Sequence, residues 1–290
     1  MAKCNRTWQK SYVPKLDEVY KLASLTAMLD GASDLARQGA NANELIIPMM
    51  TMDGLADYSR NSGYVQGDVT LTNETVKCNF DRGRRFTVDT MDDLETAGLA
   101  FGRLSAEFIR TKVVPELDAF RFAAYCGKTG VTKVEGALAD GSAVLQALRA
   151  ASTALDEAEV PLTERYLFIT PSLHGMVQDL DTTKSREVLN NFAKITDVPQ
   201  TRFYTAIKQL SGKTGEEAGG YTKATGAANI NFAIVQKDAL IQYTKHAAPK
   251  IIAPENNPDA DAYVFGYRMV GIAKAYKNML SGMYFSHDKA

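Results

Sequence analysis

The sequence predicts an α+β fold in which strand-rich and helical regions are separated along the chain. Three observations support this prediction: a long polar strand region at residues 63 to 89, a continuous helical stripe after it, and a mixed region from about residue 127 that ends in strands. At 290 residues, the chain is about two domains long, or one domain with large excursions.

The composition indicates a protein without a global preference for nucleic acid or membranes. The chain is 45% hydrophobic and 23% charged, and 33 basic against 34 acidic residues give a net charge of −1. The first twenty residues carry charges throughout, unlike a secretory signal, and no uncharged apolar run approaches the ~20 residues of a membrane helix. Cys4, Cys78 and Cys126 are far apart in sequence, which fits a reducing cytosol better than a disulfide framework.

Residues 1 to 47 are predicted to form an arm that contains one short amphipathic helix. Its apolar residues recur at helical spacing: Val19, Leu22, Leu25 and Leu29. The apolar run ELIIPMM follows, and it predicts a strand of about seven residues that Pro48 breaks.

The stretch GYVQGDVTLTNETVKCNFDRGRRFTVD, residues 63 to 89, predicts a long hairpin. Its first strand covers residues 69 to 72, Asn73 breaks it, and residues 75 to 80 form the second strand. Val76, Cys78 and Phe80 share one weakly apolar face of that second strand. Because an isolated hairpin is marginal in water, this one needs another surface to pack against.

The charges of this stretch are separated along the chain. Four acidic residues oppose four basic ones, and the arginines come late: Asp68, Glu74, Asp81 and Asp89 against Lys77, Arg82, Arg84 and Arg85. The arginine run could contact nucleic acid, or the charges could form a solvated face. Separated signs favour contact with a neighbouring copy, because they fix register and orientation. We therefore predict inter-subunit contacts for Asp68, Glu74, Lys77, Arg82, Arg84 and Arg85.

A long helix is predicted to begin at Thr90, which can cap it and is followed by acidic residues in the first turn. Its stripe recurs at steps of three and four residues: Leu94, Ala97, Phe101, Leu104 and Phe108. The helix runs for roughly 24 residues, or ~36 Å, before Pro115 kinks or restarts it.

The second half predicts alternating helices and strands. Ser142 is expected to cap a helix whose buried face carries Val144, Leu148, Ala151 and Leu155. Residues 165 to 170 predict a buried strand, and a second helix begins at Pro171 or Ser172. Residues 211 to 229 are glycine-rich and predict a mobile surface loop. The remaining strands are FAIVQ, YVFGYRMVGIAKAY after the turn APENNPDADA, and GMYF.

Chemistry-bearing motifs are sparse. His174, His246 and His287 lie on three different segments without metal-ligand spacing, and two Gly-Lys-Thr triplets lack the earlier glycine of a phosphate loop. We therefore predict no catalytic, cofactor or metal site. An unrelated α/β enzyme with a site near His174 and the glycine-rich loop is kept as an alternative.

The order and wording of several segments resemble the major capsid protein of tailed bacteriophages, of the Hong Kong 97 type. These segments are GLADYSRNSGYVQGDVTLTNETVKCNFDRGRRFTVDTMDDLET, FIRTKVVPELDAFRFA, RYLFITPSLHG and HAAPKIIAPENNPDADAYVFGYRMVGIAKAYKNMLSGMYFSH. They cover most of the chain, and no single motif among them is diagnostic.

The resemblance implies a non-catalytic subunit with five regions. These are an N-terminal arm (1–47), an extended E-loop that lies over an adjacent subunit (48–89), a peripheral domain with a long spine helix (90–125), an axial domain (126–236) and the closing strands of the peripheral domain (237–290). Residues 253 to 262 would then form a loop near local three-fold contacts.

The resemblance also implies an icosahedral shell of pentamers and hexamers that encloses double-stranded DNA. Such a protein assembles in the host bacterial cytoplasm and resides in the virion, with a portal and a separate scaffolding protein as partners and non-specific contacts to DNA. Some relatives carry a Lys-Asn cross-link, but Lys77, Asn256, Asn257 and Asn278 do not match that motif, so no cross-link is predicted. An encapsulin-like nanocompartment shell is the second interpretation.

Overall fold

The computed structural model describes residues 23–31, 37–38, 44–95, 104–180 and 182–289. The predicted helical positions Val19, Leu22, Ala97 and Phe101 lie outside these ranges. The strands are β1 (Arg37–Gln38), β2 (Glu44–Met52), β3 (Val69–Lys77), β4 (Phe80–Asp89), β5 (Thr132–Glu135), β6 (Arg165–Ile169), β7 (Lys194–Asp197), β8 (Ile207–Gln209), β9 (Tyr221–Lys223), β10 (Ile230–Gln236), β11 (Leu240–Ile252), β12 (Ala262–Ala275) and β13 (Met283–His287). The α-helices are α1 (Thr90–Glu95), α2 (Leu104–Phe108), α3 (Val114–Cys126), α4 (Gly141–Glu157), α5 (Pro171–Asp179) and α6 (Thr183–Asn190).

A five-stranded mixed sheet has the order β5-β13-β10-β6-β7. One of its faces is covered by α4, whose predicted apolar stripe is buried against Leu167 and Phe232. The opposite face packs on α3 through Phe122 and Tyr125. Because both faces are covered, β10 is buried along its whole length. The last strand, β13, belongs to this sheet and does not join the other closing strands in the second sheet.

A three-stranded antiparallel sheet has the order β11-β12-β4. The spine helix, defined here as α2, α3 and the turn between them, packs against this sheet. The Phe108 ring packs edge to face against the rings of Phe86 and Phe265, with centroids 4.8 and 6.3 Å away. Further along the helix, Leu117 is buried in one cluster with Phe80. The spine helix therefore lies between the two sheets and joins their cores.

The spine helix contains a wider, π-helical turn directly before Pro115. Residues Ile109–Val113 form a π-helical turn, and α3 starts directly after it with Pro115 in its first turn. Proline lacks an N–H and its ring crowds the carbonyl four residues earlier, so a locally wider turn accommodates it. The predicted restart at Pro115 is confirmed, and helical structure continues to Cys126.

Two predicted helix caps are wrong by one or two residues. Asp89 accepts a hydrogen bond from the Met91 N–H at 2.9 Å, whereas the Thr90 hydroxyl bonds to Asp261. Asp140 caps α4 by accepting from the Ala143 N–H at 2.8 Å. In both cases an aspartate just before the predicted residue supplies the acceptor. The predicted strand at 165–170 and the helix start at Pro171 are confirmed.

The hairpin predicted within residues 63 to 89 is wrong in its pairing. Strand β3 runs through Asn73 without a break and pairs with β2, while β4 pairs with β12. Strand β2 also continues through Pro48. Among the described residues, β1 pairs with Leu45 and Ile46 and none pairs with Pro48 on that edge, where a missing N–H is tolerated.

The glycine-rich stretch, predicted as a loop throughout, contains a strand. Strand β9 pairs with β8, and Ala227 and Ala228 beyond it are buried.

A buried polar network anchors the described N-terminal segment to the spine helix. Asp118 is fully buried and accepts hydrogen bonds from the Thr26 hydroxyl at 2.7 Å and from the Leu25 N–H at 3.0 Å. The buried Arg202 forms an ion pair with Asp118 at a distance of 3.0 Å. Because two opposite charges are buried together with several hydrogen bonds, the position of residues 24 to 26 is well specified.

Candidate inter-subunit surface

Strands β2 and β3, with residues 53–68 between them, form a two-stranded extension that we call the ribbon. Its register runs from Glu44 opposite Lys77 to Met52 opposite Val69. Nine residues in each strand correspond to about 30 Å. Every residue from Met50 to Asn73 is exposed, except the half-buried Gly63. The distal half of the ribbon therefore stands away from the body of its own subunit.

The root of the ribbon is fixed by one of its two faces. Ile47 and Val76 are buried and pack against Ile241 and Ile272 of the three-stranded sheet. Since side chains alternate along a strand, the neighbours of Ile47 on β2 and of Val76 on β3 point to the other face of the ribbon. The body of the subunit thus covers only one face of the ribbon, and only near the root.

The outer face of the ribbon is apolar and uncovered. Met50 lies opposite Leu71 and Met52 lies opposite Val69, and these four side chains are 54 to 67% exposed. Cross-strand pairs of this kind normally stabilise a sheet by packing against a second layer. Contiguous exposed apolar surface on a long strand pair is typical of a site of association with another protein.

The end of the ribbon carries a tight turn with two tyrosines, and we call residues Tyr58–Tyr64 the apex. Ser59 and Gly63 exchange backbone hydrogen bonds, and Gly63 has φ of 75°, which favours glycine. The rings of Tyr58 and Tyr64 are 4.9 Å apart, and Tyr64 is 91% exposed. Below the apex, Asp53 accepts from the Asp68 N–H at 2.9 Å and closes the strand ends.

The residues predicted as inter-subunit contacts are not gathered in one place. Asp68 lies where the two strands end, Glu74 forms a 3.1 Å ion pair with Lys277 of the same chain, and Lys77 lies at the root. The three arginines lie on β4, outside the ribbon. Their predicted contact with a neighbouring subunit stays a prediction, but the assumption that they lie on the hairpin is wrong.

Arg82 and Arg84 instead bind the glycine-rich loop of their own subunit. Arg82 contacts Glu116 at 2.8 Å and donates to the carbonyls of Leu210 and Gly220 at 2.7 and 3.2 Å. Arg84 donates to the carbonyl of Glu217 at 2.8 Å. Because strand alternation places Arg85 on the opposite face of β4, the arginine run is divided between two surfaces.

Carboxylates near these arginines have lowered pKa values. A hydrogen bond from Lys208, with others from Ser211, lowers the pKa of Glu216 to about 2. On the other face of β4, hydrogen bonding from Arg268 at 2.6 Å lowers the pKa of Asp81. Both groups are therefore ionised at neutral pH and hold their cationic partners in place.

His174 makes hydrogen bonds through both of its ring nitrogens. Its Nδ1 lies 2.7 Å from an Asp197 oxygen and its Nε2 lies 3.2 Å from the Gln178 amide nitrogen. These contacts link α5, which carries His174 and Gln178, to the end of β7. Within the part of the chain that the structure describes, no three His, Cys, Asp or Glu side chains are placed to hold a metal ion. Among the described helices, none combines the length and apolarity required to cross a membrane.

Sequence reasoning missed the apolar residues that distinguish the ribbon. The signal for them was present, since Met50 and Met52 precede a turn and Val69 and Leu71 follow another at the same two-residue spacing. Only the pairing of β2 with β3 shows that these residues share one face.

No family model and no curated protein matches this sequence. Solved structures do match it over nearly its full length. The mature capsid of bacteriophage PhiM1 is 11% identical with a TM-score of 0.67, and the match covers 97% of this chain and 91% of that chain. The capsid of the cyanophage P-SCSP1u is 11% identical with a TM-score of 0.62, over 97% of this chain and 93% of that one.

This chain has the phage capsid fold. A virus-like particle from Pyrococcus furiosus is also similar, at 9% identity and a TM-score of 0.51, over 82% of this chain and 86% of that one. In this chain the fold combines two well-packed sheets with a ribbon that packs on neither along most of its length.

Proposed function

We propose that this protein is the major capsid protein of a tailed bacteriophage, and that its copies assemble into an icosahedral shell that encloses double-stranded DNA. The observation that carries the proposal is the outer face of the ribbon, which exposes Met50, Met52, Val69 and Leu71. Its fold, similar to that of phage capsids, supports the same conclusion.

The physical argument for assembly concerns the missing second layer of the ribbon. A two-stranded sheet is marginal alone in water, whereas a second protein surface can bury its apolar face. Specific interfaces bury about 800 Å² on each partner, an area that a ribbon of about 30 Å and its tip can supply. Assembly thus provides the packing that the subunit by itself lacks.

The regions of the proposed capsid subunit follow the observed pairing. The ribbon, residues 44–77, serves as the E-loop, and β4 belongs with the peripheral sheet of β11 and β12. The five-stranded sheet with α4, α5 and α6 serves as the axial domain, and it includes β13. A scaffolding protein, a portal and non-specific contacts with packaged DNA complete the proposal, together with assembly in the host cytoplasm and residence in the virion.

A nanocompartment shell protein is the second candidate. The similarity to the Pyrococcus furiosus virus-like particle supports it, at lower coverage and a lower TM-score than the phage capsids. The two candidates share the ribbon-mediated assembly and differ in cargo. Shells that contain phage genomic DNA in infected cells support the first, and shells that contain a protein cargo support the second.

Assembly is tested by expressing the full chain and examining it by electron microscopy and size-exclusion chromatography. We expect uniform hollow particles from the wild type, alone or with a co-expressed scaffolding protein. The double variant Met50→Ser, Leu71→Ser should remain folded and give few particles, because it makes the outer face polar. The matched control Leu162→Ser changes another exposed apolar residue, 60% exposed and outside the ribbon, and should assemble normally. Normal assembly of the double variant would contradict the role of the outer face.

A further inference from the structure

Residues 23–31, which we call the latch, lie against a site lined by buried polar side chains. These side chains come from three separate elements: Asp118 and Arg121 from α3, Arg202 from the turn after β7, and Gln242 from β11. None of the four residues is more than 3% exposed. Because buried polar and charged groups are costly unless they are hydrogen-bonded, this site requires an occupant with matching donors and acceptors.

Thr26 makes the central contacts of the latch. Its hydroxyl donates to an Asp118 oxygen at 2.7 Å and accepts from the Arg121 guanidinium at 2.9 Å. Its carbonyl accepts from the Gln242 amide at 2.6 Å. A hydroxyl can donate and accept at the same time, so Thr26 bridges a carboxylate and a guanidinium that a side chain of the same shape without oxygen would leave unpaired.

The end of the latch binds the same site through a carboxylate. Asp30 accepts from Arg121 at 3.0 Å and from the Gln242 amide at 2.8 Å. The Gly31 N–H donates to the backbone carbonyl of Gln242 at 3.0 Å. The spacing of a hydroxyl and a carboxylate four residues apart therefore matches the donors and acceptors of the site.

The latch joins both sheets to the helix between them. Arg202, which follows β7 of the five-stranded sheet, donates to the Ala23 carbonyl at 3.3 Å, and Gln242 belongs to the three-stranded sheet. Leu29 is 1% exposed and lies in the core that α3 shares with the five-stranded sheet. Movement of either sheet relative to α3 would therefore break bonds to the latch.

We propose that this polar site is a specific receptor for residues 23–31, and that docking of the latch fixes the two sheets in the relative arrangement that assembles. The receptor recognises a peptide with a buried hydroxyl and a carboxylate four residues later. Its effect on shells rests on the proposed assembly function, whereas recognition of the latch does not.

Two substitutions of Thr26 in the full chain test the receptor. Thr26→Val keeps the shape and removes the hydroxyl, and the matched control Thr26→Ser keeps the hydroxyl. We expect Thr26→Val to accelerate hydrogen exchange at residues 200–203 and 240–244 by about tenfold or more and to lower shell yield by a similar factor, since two buried charges each lose a partner. Thr26→Ser should remain within about twofold of the wild type, because both bonds can still form.

A synthetic peptide of residues 23–31 tests recognition directly. It is added at about 1 mM, comparable with the effective concentration of a tethered segment. We expect it to restore the exchange protection of Thr26→Val, whereas the same peptide carrying Thr26→Val should not. The wild-type chain should not respond to either peptide, because its own latch already fills the site.

The outcomes separate this inference from the proposed function. If wild-type chains form no particles, the assembly proposal is refuted, and the exchange and peptide measurements still decide the receptor. If Thr26→Val exchanges like Thr26→Ser at both regions, or the wild-type peptide does not restore its protection, the receptor is refuted while assembly stands. If Thr26→Val does not fold, Asp30→Ala supplies the test, since the Asp30 side chain is 43% exposed and its loss removes the bonds to Arg121 and Gln242. Unchanged exchange at both regions in Asp30→Ala would overturn the receptor.

Discussion

The contact between Arg82 and the glycine-rich loop predicts a local destabilisation when Arg82 is replaced by alanine. The change removes the 2.8 Å contact with Glu116 and the bonds to the Leu210 and Gly220 carbonyls. The Glu116 side chain is 12% exposed and would keep only a 3.4 Å bond from Gln209. Hydrogen bonds to charged groups contribute about 1.5 to 3 kcal/mol each when buried, and partial exposure of Arg82 reduces this.

We expect Arg82→Ala to lower the free energy of unfolding by about 2 kcal/mol, as measured by urea denaturation of the unassembled subunit. Hydrogen exchange should accelerate most at residues 210–220, because the loop loses its bonds to Arg82 and keeps only the Arg84 contact with β4. Arg82→Lys should be intermediate, since lysine keeps the charge without the planar fork of donors.

The neighbouring arginine provides the control. Arg85 is exposed on the opposite face of β4, so Arg85→Ala should change the free energy of unfolding by less than about 0.5 kcal/mol. Equal effects of the two substitutions, or unchanged loop exchange in Arg82→Ala, would refute the assignment of Arg82 to the loop.

Further predictions concern the buried network, the loop and one close strand contact. Asp118→Ala should cost about 3 to 5 kcal/mol in urea unfolding because it leaves the buried Arg202 without its carboxylate partner, and a loss under 1 kcal/mol would contradict this. The pKa of Glu216 is depressed, so its ion pair with Lys208 stabilises the loop fully above pH 4.5, the ordinary pKa of the group, and this stabilisation is lost as the pH falls towards 2. Glu216→Gln should remove the pH dependence of the hydrogen-exchange protection of the loop between pH 4.5 and 2. An unchanged pH dependence in this variant would contradict the role of the ion pair. Gly83→Ala should destabilise by about 1 to 3 kcal/mol, because a Cβ would lie 2.8 Å from a backbone carbonyl oxygen, whereas Gly54→Ala meets nothing within 4 Å and should be neutral in the same thermal melts.

The local elements were largely predictable because their signals lie within a few residues. The stripe of α4 and the buried strand before Pro171 follow from periodicity and flanking breakers, and both are observed. The helix caps were missed by one or two residues since Asp89 and Thr90 are both good caps and only the geometry distinguishes them.

The candidate site was less predictable because it depends on which strand pairs with which. The sequence indicated that residues 63 to 89 form polar strands with little core of their own, and this is correct for β3 except at its root, where Val76 is buried. It could not show that β3 pairs with β2, since strand patterns specify which face is buried and not which partner is opposite.

The amino-acid sequence specifies the composition of each surface: the apolar residues of β2 and β3, the tyrosines around Arg60, the run of arginines and the acidic turn after β11. The positions of these surfaces depend on how the chain folds. Strand pairing placed Met50 and Leu71 on one uncovered face, and strand alternation turned Arg82 towards the loop and Arg85 away from it. The reason is that neighbours in a sheet are set by long-range pairing, which must satisfy backbone hydrogen bonds and core packing over the whole chain together.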